Sequence, residues 1–365
     1  MPNQKFLSRV ITKLLEWKFS LENNPSRDIG TPNRILVVRQ HNQFGDLLAS
    51  VSLFRAIKES YPDSHLTVIV SPDNFYAITK NEFIDEYFIF DKSKLVNPEY
   101  YVKLKKVLKG NYDLSIVPAT VSISFTSCLL GRLSDAKTRI GPKSLNGKTN
   151  KYTFLFDRRT TLDWRKCPDA HISDFGLDIV RPFGINTKNF KSSISFDESD
   201  QQTAKSFLES MNITQGKVIV GLHIGAGKPP NRWSLDKYIE LINSLIAQFD
   251  AQCYITGSSA DQKEIDYVKA KLKNKISFFI NHSIPELAAL ISITDLFITN
   301  DTGVMHVAGA TEAKQVSIFG PTNPFNWAPI GQNKYFLRKS DLIDDITVGD
   351  VFNLCKLILE KRIGK

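Results

Sequence analysis

Asp301, Thr302, Gly303 and His306 lie close together in the stretch 296–310, which reads LFITNDTGVMHVAGA. Their types and spacing suit the binding of a sugar diphosphate. The apolar run 296–299 is a strand, residues 300–303 break it, and small apolar residues then resume at helical spacing. A helix that opens on Thr302 and Gly303 aims free backbone N–H groups, and the positive end of its dipole, at whatever sits above the turn. Gly303 lets a phosphate come close to the backbone. His306 follows Thr302 by about one helical turn and faces the same way. Asp301 caps the helix or binds hydroxyls. A purely structural alternative makes Asp301 an N-cap and His306 a satisfied core histidine.

Two further stretches place reactive types at strand ends. RILVVRQ (34–40) is a buried-type strand, and HNQFGD (41–46) is the loop after it. Asp46, beside Gly45, reads as a general base in a cleft, or as the N-cap of the apolar helix that begins at Leu47. KVIVGLH (217–223) is another such strand. The loop IGAGKPPNRW (224–233) brings Gly227, Lys228, Asn231 and Arg232 to its end. Glycines and cations beside a strand end suit a diphosphate, although glycine-rich turns are common.

The elements that must hold these residues alternate. Strands near 34–40, 66–70, 87–90 and 114–117 are separated by helical stretches, and the cycle restarts at 217. This pattern gives α/β architecture with doubly wound parallel sheets, whose ligands bind beyond the C-terminal strand ends. The fold class read from it is two Rossmann-like domains facing across a cleft. Residues 1–33 form a basic amphipathic extension and linker, 34–195 the N-terminal domain, 196–215 a polar linker and 216–340 the C-terminal domain. Residues 341–365 carry a terminal helix, with return packing on the N-terminal domain as one option.

Composition narrows the function. The chain has 365 residues, favouring two domains, and a formal net charge of +9. No apolar run reaches the roughly 18 residues of a membrane-spanning helix, and no signal-peptide pattern opens the chain. Cys128, Cys167, Cys253 and Cys355 show no CxxC spacing, as expected of reduced thiols in a cytoplasmic protein. Between Arg132 and Lys166, ten Lys/Arg stand against three Asp/Glu. Such a patch calls for an acidic partner. Leu7, Val10, Ile11, Leu14, Trp17 and Leu21 share a helical stripe among lysines and an arginine, which suits an anionic membrane surface or packing on the protein itself.

NDTGVMHVAGA followed by VSIFGPTNP resembles the C-terminal signature of glycosyltransferase family 9, the heptosyltransferases. RILVVRQHNQFGDLLAS resembles that family's N-terminal loop, and GLHIGAGKPPNRW its donor loop. The likeness runs in order from about Arg34 to Trp327. It implies the GT-B architecture, an inverting mechanism, and a nucleotide-diphosphate heptose donor such as ADP-heptose. It also implies a lipopolysaccharide inner-core or similar acidic glycan acceptor.

Carried over by position, Asp46 matches the general base. Asp301, Thr302, Gly303 and His306 match the donor site, and Asp261 falls where a carboxylate often lies near the donor ribose. Where several members carry a donor-loop lysine, this chain has Asn231, so Lys228 or Arg232 would supply the charge. Arg158, Arg159, Arg165, Lys166 and His171, with Gly45, are the acceptor-side candidates.

The chemistry fits without a metal or resident cofactor, since backbone N–H groups and a cation stabilise the leaving phosphate. Two other readings share parts of the pattern. A sugar-nucleotide epimerase of this architecture would need more acid/base groups in the N-terminal half. A nucleotide- or RNA-binding protein would use the basic patch, but the aromatic–basic interleaving of RNA modules is missing, so nucleic acid is not the expected partner. The expected location is the cytoplasm, at the inner face of the membrane.

Overall fold

Short runs rich in Ile, Leu and Val form the strands, and the amphipathic runs between them form the covering helices. The computed structural model describes residues 12–40, 44–211 and 216–363. The chain divides into two units, residues 1–75 with 82–190, and residues 76–81 with 191–365.

In the first unit the strands are β1 (Arg34–Val38), β2 (His65–Val70), β3 (Glu86–Ile89), β4 (Leu114–Ile116), β5 (Thr138–Leu145), β6 (Lys148–Thr149) and β7 (Arg158–Leu162). They pair in the order β3-β2-β1-β4-β5, with β6 and β7 both on β5. All pairs are parallel except the β5–β6 hairpin. The helices α1 (Phe44–Ala49), α2 (Val51–Ser60), α3 (Pro98–Leu108), α4 (Phe125–Leu133) and α5 (Ile172–Phe175) complete the unit. A core including Leu36, Val38, Ile69, Cys128, Leu155 and Phe156 lies on one face of the sheet.

The second unit opens with α6 (Glu198–Ser210). It continues through β8 (Ile219–His223), α7 (Leu235–Phe249), β9 (Gln252–Gly257), α8 (Gln262–Lys271), β10 (Ser277–Ile280), α9 (Ile284–Ser292), β11 (Leu296–Asn300) and α10 (Gly303–Gly309). It closes with β12 (Gln315–Ile318), α11 (Pro324–Trp327), β13 (Lys334–Leu337) and α12 (Val348–Ile363). The strand order is β10-β9-β8-β11-β12-β13, parallel throughout. This is the doubly wound dinucleotide-binding order, whose direction reverses between the first and fourth strands and leaves a crevice there. The reversal falls between β8 and β11 in this unit and between β1 and β4 in the first.

The structure corrects three expectations. Residues 198–210 are a helix, not a linker. Asp197 caps it in a reciprocal capping box with Asp200, and Phe207 packs edge-on against Tyr254 and Phe279. One apolar stripe suffices for that packing, so the polar majority concealed the helix. The remaining expected linker residues 212–215 lie outside the described residues, and the division between units falls after Phe190. The terminal helix α12 packs within the second unit. Val351, Cys355, Ile358 and Leu359 join the core of the second, with Leu241 and Leu245 of α7.

The N-terminal stretch packs on the first unit itself. Residues 12–19 are helical, and Leu15 and Phe19 lie against the core around Leu155 and Phe156. Leu21 N–H donates to Phe154 O (2.8 Å) and Asn24 N–H to Asp157 O (2.8 Å). Residues 1–11 of the expected amphipathic helix lie outside the described residues.

Gly141 of β5 packs so closely on Phe156 that a Cβ there would meet the ring at 2.4 Å. Phe156 is fully buried, so the ring has little room to yield. Gly141→Ala is expected to cost about 1–3 kcal/mol of unfolding free energy, as overpacking does. Urea denaturation measures it, and an unchanged midpoint would mean that the ring moves aside.

Candidate functional site

The C-terminal end of β11 is built around Asn300. Its side chain is fully buried and its hydrogen-bonding groups are engaged in several directions. The amide N–H groups donate to Ile224 O (3.0 Å) and Gly225 O (3.2 Å). The amide oxygen accepts from the Tyr238 hydroxyl (2.9 Å) and from Trp233 N–H (3.3 Å). One residue therefore fastens the glycine-rich loop, the start of α7 and the strand end together at the sheet's reversal point.

Asp301 follows on this base. Its carboxylate accepts from the Asn231 amide (2.8 Å), which also donates to Asp301 O (3.1 Å). Burial raises the pKa of Asp301, while the Thr322 hydroxyl, the nearby charge of Lys228 and the Asn231 amide oppose the rise. Asp301 is not the helix cap. Thr302 holds the N-cap position with extended backbone (φ −154°) and makes no side-chain cap among the described residues. His306 packs edge-on against Trp327, with ring centres 6.1 Å apart. At the far end of α10 the half-buried Lys334 ammonium donates to Ala308 O (2.8 Å) and Ala313 O (2.7 Å). A cation there complements the negative end of the helix.

The structure separates the two candidate phosphate cations. Arg232 is held by Ala226 O (2.7 Å) and Glu264 (2.8 Å). Lys228 is exposed and close enough to Asp301 for its charge to be felt. Beside it, Gly227 faces open space on its Cβ side. Asn231 is buried in its clamp on Asp301 and so does not stand in for a lysine.

Asp261 accepts from Ser258 N–H (2.9 Å) and its hydroxyl (3.0 Å). A Cβ on Gly225 would lie 2.0 Å from the Asp261 carboxylate and 3.4 Å from His223 Nε2. His223 Nδ1 lies 3.1 Å from Thr256 O, and burial lowers the pKa of its ring against the pull of Asp261. Glycine at 225 thus lets the loop cross directly over a histidine–carboxylate pair.

In the first unit, Asp46 lies in the first turn of α1. Its carbonyl accepts from the Ser50 hydroxyl (2.8 Å) and, at 3.4 Å, from Arg39. Arg39 at the end of β1 also donates to Ser50 (2.9 Å) and to Thr120 (3.1 Å), just past β4. Burial lowers its pKa and Asp46 works against that shift. A guanidinium nevertheless stays charged, so Asp46 sits over a buried cation. Next to Thr120, an open cleft of about 390 Å³ is lined by Val121, Ile123, Lys148, Lys151 and Tyr152 among others.

The basic window splits on inspection. Arg159 donates to Phe156 O (2.9 Å) and Leu21 O (2.8 Å). Arg158 is bound to Asp157 (3.2 Å) and Asp28 O (3.4 Å), and Arg132 to Phe19 O (2.7 Å). These three arginines tie down the N-terminal stretch instead of lining a cleft. Arg165 pairs with Asp163 through two 2.8 Å contacts and lies against Gly147 of the β5–β6 turn. That pairing holds the Asp163 carboxyl down at about 2. Lys166 is exposed. His171 Nδ1 accepts Ser173 N–H (3.1 Å) at the start of α5. Its neighbour Ile172 shares a closely packed pocket with Asp46 and Arg39. Gly45 precedes Asp46 in α1, and residues 41–43 of that loop lie outside the described residues.

The family model described as glycosyltransferase family 9 (heptosyltransferase) matches residues 101–345. The chain belongs to glycosyltransferase family 9. It is 30% identical over 289 residues to a lipooligosaccharide heptosyltransferase 2 of Campylobacter jejuni, covering 76% of this chain and 78% of that one. It is 25% identical over 314 residues to a lipopolysaccharide heptosyltransferase 3 of Escherichia coli K12, covering 79% and 83%. The fold matches a family 9 glycosyl transferase from Veillonella parvula with TM-score 0.78 at 19% identity, over 92% of this chain and all of that one. It matches E. coli ADP-heptose lps heptosyltransferase II with TM-score 0.73 at 20% identity, over 90% and 99%. The protein is thus a family 9 glycosyltransferase with two Rossmann-like domains.

Sequence reasoning passed over Arg39, Thr120, His223, Tyr238 and Asn300. A signal existed for three of them. Arg39, His223 and Asn300 are polar residues that end otherwise apolar strands, and in a doubly wound sheet such positions face the ligand crevice.

The raised pKa of Asp301 has a consequence for stability. Between the unfolded carboxyl value, about 3.9, and the raised folded value, the native state binds more protons than the unfolded one. Stability from this group is present below that window and is lost as pH rises through the folded pKa. Asp301→Asn removes the penalty and keeps an oxygen for Asn231. The variant's unfolding temperature, relative to the parent, is expected to climb with pH across the window and then level off. A difference that stays constant from acid to neutral pH would show that Asp301 titrates normally.

Proposed function

We propose that this family 9 enzyme moves a heptose from a nucleoside diphosphate donor, ADP-heptose, to an acidic inner-core glycan of lipopolysaccharide. The transfer inverts the anomeric centre and needs no metal or resident cofactor. The observation that carries the reading is the clamp at β11. Asn300 and Asn231 hold Asp301 in place beside Lys228 and the start of α10. A fixed carboxylate suits sugar hydroxyls, while a cation and backbone N–H groups suit a diphosphate. The likeness to heptosyltransferases of lipopolysaccharide and lipooligosaccharide in E. coli and C. jejuni supports the donor and acceptor.

The proposed step is a single displacement. The acceptor hydroxyl oxygen attacks the anomeric carbon, and the bond from that carbon to the phosphate oxygen breaks. The nucleoside diphosphate leaves with the bonding electron pair, its charge met by Lys228 and the N–H groups at Thr302 and Gly303. The hydroxyl proton passes to Asp46. The buried Arg39 guanidinium lies close enough to Asp46 for the two charges to interact. The open cleft beside Thr120, with Lys148 and Lys151, is the acceptor side. Arg158 and Arg159, engaged with the N-terminal stretch, do not belong to it.

Asp46→Asn is expected to bind the nucleotide sugar normally and to lose about 10²–10⁴ in turnover, the range for general-base catalysis. Near-normal turnover in the folded variant would remove Asp46 from that role.

Activity is expected to survive EDTA. Loss with EDTA and recovery with a divalent ion would replace this mechanism by a metal-assisted one.

A further inference from the structure

The segment from Lys92 through α3 presents an unusual surface. Six lysines (92, 94, 103, 105, 106 and 109) stand against Glu99 alone between residues 92 and 109. Within that field, Val96 is 91% exposed and Val102 64% exposed, with Tyr101 and Leu95 also open to solvent. Leu104 and Leu108 form the buried side of α3. Val102, Lys105, Lys106 and Lys109 are three or four residues apart along the opposite side, so they share one outward face.

Among the described residues these exposed apolar groups are not part of the core of the first unit. Asn97 is the N-cap of α3, which puts Val96 and Tyr101 at the two positions that close a hydrophobic staple. Both remain exposed, so the staple is not what they serve. Singly scattered surface apolar residues need no explanation, but a cluster within a cationic rim marks an interaction site. The cluster also has a meaningful place. Val96 and Leu95 lie in the loop that leaves the C-terminal end of β3, the sheet edge from which Asp46 also projects.

We propose that this surface docks the enzyme on an anionic lipid bilayer. The occupant follows from the chemistry. Lysines meet lipid phosphates, while Val96, Val102, Leu95 and the amphipathic Tyr101 enter the boundary between headgroups and acyl chains. A nucleic acid would use the lysines and leave the aliphatic groups in water. The docking serves the proposed lipid-borne acceptor and rests on that reading for its purpose. The helical residues 12–19, which expose Leu14 and Trp17, are the competing anchor.

The full chain is sedimented with phosphatidylcholine vesicles, with and without phosphatidylglycerol, at low and high salt. Binding is expected only with the anionic lipid and only at low salt. Lys105→Gln/Lys106→Gln/Lys109→Gln is expected to weaken vesicle partitioning by about 100-fold, at about fivefold for each lysine. Val96→Ser/Val102→Ser is expected to weaken it by about tenfold. Leu14→Ser/Trp17→Ser is expected to leave it unchanged.

The same variants are assayed for transfer to a delipidated, soluble acceptor, and unchanged rates show that they fold. Failure of that soluble transfer in the parent protein would count against the acceptor reading, while the vesicle result still decides the docking. Three outcomes overturn the proposal. The first is parent-like vesicle binding by the lysine variant. The second is loss of binding in the Leu14/Trp17 variant alone. The third is salt-resistant RNA binding that needs these lysines while vesicle binding does not.

Discussion

A buried amide at the end of one strand governs the second unit. Asn300 lies where the parallel sheet reverses direction, and there the loops after β8 and β11 diverge and leave backbone groups without sheet partners. Two loop carbonyls, a tyrosine hydroxyl and a backbone N–H converge on that side chain. A buried polar group is costly unless its hydrogen bonds are made. Every element that serves Asn300 is therefore held to a narrow geometry, and the loop carrying Lys228, Asn231 and Arg232 inherits it.

Charge placement follows from that frame. Asp301 is half-enclosed by burial and tempered by Thr322, Lys228 and Asn231. Arg232, equally basic in sequence, is drawn away by Glu264 and a loop carbonyl. The first unit repeats the logic with a different residue. Arg39 ends β1, reaches Thr120 past β4, and places a cation beneath Asp46. In both units a polar residue closing an apolar strand ties the two loops of the reversal point together.

The N-terminal stretch shows how a basic window can mislead. Arg132, Arg158 and Arg159 look like an anion site in sequence. In the fold their guanidinium groups reach backbone carbonyls of residues 19, 21 and 28. Arginine suits this use because its planar fork serves several acceptors at once. The lysines of 92–109, with compact and strongly hydrated charges, remain at the surface.

The α/β class, the two doubly wound sheets and the stretches that carry chemistry were legible in the order of the residues. Strand runs such as RILVV and IVGLH and the breaks after them are local signals, set by side-chain periodicity and by glycine. The sequence also marked Asp46, Asp301 and the glycine-rich loop, because reactive types at strand ends have a fixed address in such sheets. Which neighbours each group meets emerged only with the folded chain. Polar α6 is a helix because Phe207 finds Tyr254 and Phe279, far away in the chain. Helix α12 stays on the second unit because its apolar stripe matches α7. Lys228 and Arg232 differ only in what faces them, and Asn300 became central only when four separate backbone and side-chain groups closed on it. Periodicity is a property of a few adjacent residues, whereas burial, pairing and pKa depend on groups that only the folded chain brings together.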